Sequence, residues 1–96
     1  MGERRAIVEA KRDDILATVQ RHRGRSVSLF GSVARGEDTP ASDVDFLVEF
    51  ESGSSLFDLL HLQDELTELL GCPVDVVSLG GLKPRDAGIR REAVPL

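Results

Sequence analysis

Residues 29–50 read LFGSVARGEDTPASDVDFLVEF, a glycine-serine turn followed by two carboxylates one residue apart. Asp43 and Asp45 fall in a run of strand formers, Val44, Phe46, Leu47, Val48 and Phe50. Strand side chains alternate faces, so both acids point the same way, with Cα atoms about 6.5 Å apart. Two acids held side by side repel each other, and a hard, oxygen-loving cation such as magnesium relieves that repulsion. The other reading is an exposed edge strand whose acids discourage aggregation. That reading leaves the adjoining turn unexplained.

Upstream, Ser26 to Phe30 alternates as a short strand does and delivers the chain to Gly31 and Ser32. Val33, Ala34 and Arg35 then form a helical turn that Gly36 breaks. The first N–H groups of a helix lack internal partners, so a small residue followed by serine can cradle phosphate oxygens. A plain strand-to-helix turn with Ser32 as its cap fits the same residues. Before this strand, Val8, Ile15, Leu16 and Val19 recur at helical spacing, predicting one amphipathic helix from Glu3 to about His22, stopped by Gly24.

Downstream, Glu37 to Ala41 is a polar loop containing Pro40, and Ser42 leads into the acid-bearing strand. Ser55 and Asp58 match a capping box, opening a helix in which Leu59, Leu62, Leu66 and Leu69, joined by Leu56, Leu60 and Leu70, form a broad apolar face closed by Gly71. This face reads as core, part of it available to a partner. His61 has no second histidine at ligand spacing and reads as exposed and uninvolved. Pro73 to Leu79 is a third strand whose valine run is interrupted by Asp75. Either that face is open to solvent, or Asp75 shares a cation with the neighbouring acids. A last helix from Pro84 to about Glu92 and a short apolar tail, Val94 to Leu96, complete an α+β fold of about three strands packed by helices.

Ninety-six residues, 41% hydrophobic and 30% charged, suit one compact domain over 1–96. Such a chain leaves little surface to enclose both a nucleotide-sized ligand and an acceptor, so an acceptor is expected from outside. A net charge of -5 argues against broad nucleic-acid binding. The clusters Arg21, Arg23, Arg25 and Arg85, Arg90, Arg91 are the local exceptions, the first reading as a solvated helix end. The lone Cys72 excludes an internal disulfide and reads as a buried small apolar residue, and no run is apolar enough for a membrane, so a cytoplasmic setting is expected.

The pattern Gly31-Ser32-Val33-Ala34-Arg35-Gly36, five residues, then Ser42-Asp43-Val44-Asp45, with Asp75 thirty positions after Asp45, resembles the polymerase-beta-like nucleotidyltransferases. The small size, the ARG after the glycine-serine pair and the closing IRREAVPL are similar to the minimal nucleotidyltransferases, or MNT domains, of prokaryotes. The resemblance implies ATP held at Gly31, Ser32, Arg35 and Ser42, and two magnesium ions held by Asp43, Asp45 and Asp75, also the catalytic residues. It further implies an antitoxin that transfers AMP to a tyrosine of a HEPN-domain ribonuclease toxin. The chain has no tyrosine of its own to modify. A non-catalytic antitoxin that blocks its partner sterically, and nucleotidyl transfer to a small molecule, are the competing readings.

Overall fold

The structure, a computed structural model, describes residues 2–81 and 87–96. In chain order its elements are α1 (Glu3–Ala10), α2 (Arg12–Arg21), β1 (Gly24–Phe30), α3 (Gly31–Arg35), β2 (Val44–Phe50), α4 (Leu56–Leu70), β3 (Val74–Ser78), a 3-10 turn (Leu79–Gly81), α5 (Ala87–Glu92) and β4 (Val94–Pro95). The sheet has the order β3-β2-β1-β4. β1 runs antiparallel to both β2 and β4, whereas β2 and β3 are parallel and joined through α4, as a parallel pair requires.

One sheet face carries the core. Val44, Phe46 and Val48 of β2 lie with Val27 and Leu29 of β1 and Val74 and Val76 of β3, covered by Ile15 and Val19 of α2 and Leu62, Leu66 and Leu70 of α4. The capping box forms at the start of α4, where the Ser55 N–H donates to Asp58 Oδ2 at 2.9 Å. Along the outer side of β3, Gln63 of α4 accepts the Val76 N–H at 3.0 Å, so a helix side chain satisfies a strand amide. Cys72 is buried, and that burial raises its thiol pKa, as expected of an inert core cysteine.

Four expectations need correction. The first helix is two, broken at Lys11, whose N–H reaches both Ile7 and Val8 carbonyls while its own carbonyl accepts from Ile15 to start α2. The break lets α2 lie on β1 while α1 turns toward α3. Gly24 is not the helix stop but the first residue of β1; the left-handed residue there is Arg23, φ 65°. Gly24 serves close packing, since a Cβ would stand 2.3 Å from Val19 Cγ1. The sheet has four strands rather than three, because Val94–Pro95 pairs with Ser28 and Leu29 and the Leu96 N–H bonds Val27 O at 3.0 Å. Finally, Leu56 and Leu60 are not core: with Phe57 they are 68%, 43% and 70% exposed, whereas Leu59, Leu62, Leu66 and Leu70 face the core, so the buried stripe of α4 is narrower than its leucine content. Pro84 and Arg85, named from the sequence, lie outside the described residues.

Candidate active site

The acids gather on the sheet face opposite the core. Register pairs Asp45 with Asp75 on one side and with Phe30, the residue before Gly31, on the other. Paired residues of neighbouring strands share a face, so Asp45 stands between Asp75 and the glycine-serine turn. Asp43, one residue before β2, belongs to the same alternation. Asp45 is half-buried, while Asp43 and Asp75 are exposed. Burial first, then the charges of Asp75 and Asp43, push the Asp45 carboxyl above its ordinary value, and Arg35 opposes them. Among the described residues no three potential ligands already stand in a metal-holding group, so the three carboxylates share a face and a field without being drawn together.

The turn meets this face directly. Gly31 has φ +74°, a conformation that favours glycine, and a Cβ there would lie 2.4 Å from Asp45 Oδ2. Only hydrogen fits between the turn and the central carboxylate. Val33 is fully buried and roots the turn in the core, and Gly36, also left-handed, ends it. With five residues, α3 has little macrodipole, so any anion held here depends on individual turn amides.

The remaining candidates separate. Ser32 is half-buried at the start of α3. Arg35 pairs through Nε with Glu37 Oε2 at 2.9 Å and through a terminal nitrogen with Glu92 Oε2 at 3.2 Å, so α5 holds it from the far end of the chain. Ser42 Oγ accepts the Thr39 N–H at 2.8 Å and lies 3.3 Å from Thr39 Oγ1, which makes Ser42 the lock of a tight 39–42 turn. Sequence reasoning passed over Arg4, Arg5 and Asp38. Arg4 donates to the carbonyls of Ser42 and Pro40, Arg5 to that of Ala34, and Asp38 accepts the Arg4 N–H. No periodicity marks such contacts, since they join residues about thirty positions apart.

The model of the nucleotidyltransferase domain matches residues 12–95. The chain belongs to this family. The nucleotidyltransferase match includes both acid strands and the turn, and places the chain among enzymes that use a nucleotide and, in general, a metal. A relative from Methanocaldococcus jannaschii, provisionally named a protein adenylyltransferase, is 45% identical over 78 residues, covering 81% of this chain and 83% of that one. A solved structure provisionally described as a minimal nucleotidyltransferase superposes with a TM-score of 0.87 at 45% identity, covering 96% of this chain and 95% of its own. A toxin-antitoxin crystal structure with AMP-PNP has a TM-score of 0.65 at 23% identity over 74% of this chain and 59% of that one, a likeness of fold. No helix among the described residues is long and apolar enough to cross a membrane.

Proposed function

We propose that this nucleotidyltransferase is a cytoplasmic antitoxin that uses ATP and magnesium to transfer AMP to a hydroxyl, a tyrosine in the family it resembles, of a cognate HEPN-domain toxin. The observation that carries this reading is the like-charged face formed by Asp43, Asp45 and Asp75, with Asp45 raised by burial and by its two neighbours, pressed against a glycine that leaves no room for a side chain. Like-charged carboxylates sharing one face and raising Asp45 fit a magnesium site that the ion itself would draw together, and their all-oxygen donors suit that ion. Asp43 and Asp45 would hold two magnesium ions and Asp75 one of them. When bound, magnesium supplies charge stabilisation at the phosphoryl centre and lowers the pKa of the attacking hydroxyl.

The chain's own residues do the rest. Turn amides from Gly31 and Ser32 bind phosphate oxygens, and the Ser32 hydroxyl adds a further donor. Arg35 contributes charge to the same field, shared with Glu37 and Glu92. Ser42 acts through the shape of its turn. In the transfer the acceptor oxygen bonds the α-phosphorus, the α–β bridge breaks, and pyrophosphate departs; we assign the hydroxyl proton to Asp75. In this reading the acceptor hydroxyl belongs to the partner; residues 1–96 contain no tyrosine.

One observation favours the steric alternative: Leu56, Phe57 and Leu60 lie exposed at the start of α4, where the chain has left β2 at the end remote from its acids. Intact-mass measurement separates the readings. Partner, ATP and magnesium should yield about 329 Da per transferred AMP on the partner and none on this chain, and Asp43→Ala or Asp45→Ala should abolish the gain. An unmodified partner inhibited equally by wild type and the double-acid variant would establish steric neutralisation instead.

A further inference from the structure

The segment from the glycine-serine turn to Asp43 is fastened to α1 at several points. Asp38 accepts the Arg4 N–H at 2.9 Å, capping an α1 amide that has no partner within the helix. The Arg4 side chain returns across the same loop, donating from Nε to Ser42 O at 3.1 Å and from a terminal nitrogen to Pro40 O at 2.5 Å. Arg5 donates to Ala34 O at 3.2 Å, fastening the end of α3. Two consecutive arginines thus grip both ends of the connection between the turn and the acid strand.

The bond to Ser42 O matters most for chemistry. That oxygen belongs to the peptide plane entering Asp43, and the plane leaving it is fixed by Val44 N–H donating to Pro73 O at 2.9 Å. The Asp43 Cα is therefore suspended between two anchored peptide planes, and only the first of these anchors is a side chain. A planar guanidinium can span two carbonyls, which the single ammonium of lysine cannot do in the same geometry. We propose that Arg4 is a positioning residue for Asp43, setting the direction of its carboxylate through the Ser42–Asp43 peptide plane.

The inference rests on Asp43 being a metal ligand, and its test separates the two claims. Manganese, as a magnesium stand-in, is titrated into full-length protein with ATP while amide hydrogen exchange is followed along the chain. Arg4→Ala should weaken manganese binding about 10- to 100-fold, as loss of a ligand's outer support does. Arg4→Lys should recover only part of that. Arg12→Ala, which removes an arginine bond to Leu96 O next to β4, at the sheet edge opposite β3, should leave affinity unchanged. Exchange in Arg4→Ala should accelerate across residues 39–44 while β1 and α4 keep their protection. Unaltered manganese affinity, unaltered exchange at 39–44, or loss of protection throughout the chain would overturn the role. If wild type binds no manganese with ATP, the transfer reading fails by itself, and the exchange pattern still decides whether Arg4 orders the approach to Asp43.

Discussion

Charge is handled in opposite ways at two places in this molecule. Between α2 and α4 a carboxylate is partnered: Glu65 Oε2 lies 3.2 Å from an Arg21 nitrogen, an unlike charge, and 2.9 Å from His22 Nε2, and the hydrogen bond from His22, ahead of other causes, lowers the Glu65 pKa. On the acid face like charges meet, and Asp45 is raised. The first arrangement joins two helices over a shallow hollow of about 280 Å³ lined by Thr18, Arg21, Glu65, Glu68 and Leu69. The second opposes the fold, and in the proposed reading a bound cation would relieve it. The helix pair satisfies its charge within the chain, whereas the acid face, on the proposed function, would satisfy its charge from outside.

The largest break in this contrast should come from Gly31→Ala. The new Cβ would have to displace the Asp45 carboxylate and hold a left-handed backbone, costing about 1–3 kcal/mol of stability. Nucleotidyl transfer should fall by about 100-fold, since small misplacements of a reacting constellation have that effect. Denaturant melts and transfer assays on one preparation measure both, and wild-type transfer by the alanine variant would detach the turn from the acids.

Asp45→Asn should divide activity from stability. The folded pKa of Asp45 lies above its ordinary 3.8, so the folded state holds the proton longer than the unfolded one. Stability from this group is therefore present below pH 3.8 and lost as pH rises through the folded value. In chelator at neutral pH the asparagine variant should melt at the wild-type temperature or slightly above it, although it is inactive. A clearly lower melting temperature would make Asp45 a structural residue.

The smallest effect belongs to the helix pair. The Glu65 pKa is lowered, so its contribution is present above its ordinary 4.5 and lost as pH falls through the folded value. Glu65→Gln should slightly lower the melting temperature above that range and match wild type well below it, an exposed pair being weak and screened. A drop as large as that of Gly31→Ala would place the main charge-based stability here.

Much of the acid face was legible because it is built from local signals. Strand alternation puts Asp43 and Asp45 on one side, and a lone acid in the Val74–Val77 run suggested the adjacency that register shows for Asp45 and Asp75. What escaped depends on distant contacts. Nothing near Lys11, neither proline nor glycine, marks the break between α1 and α2, which packing against α3 and β1 selects. The tail at Val94 becomes a strand because β1 offers an unpaired edge. Leucine spacing put Leu56 and Leu60 on the apolar stripe of α4, but composition does not say how wide a stripe the core covers, and it covers the line through Leu59, Leu62, Leu66 and Leu70.

The central claim is that the like-charged face is a metal-dependent nucleotide site, and calorimetry of ATP binding addresses it most directly. Wild type should bind ATP weakly in chelator and distinctly more tightly with magnesium, because the triphosphate completes the coordination that three carboxylates begin. Asp45→Asn should lose most of that difference. Equal affinity for ATP in both buffers, or no binding in either, would contradict the account.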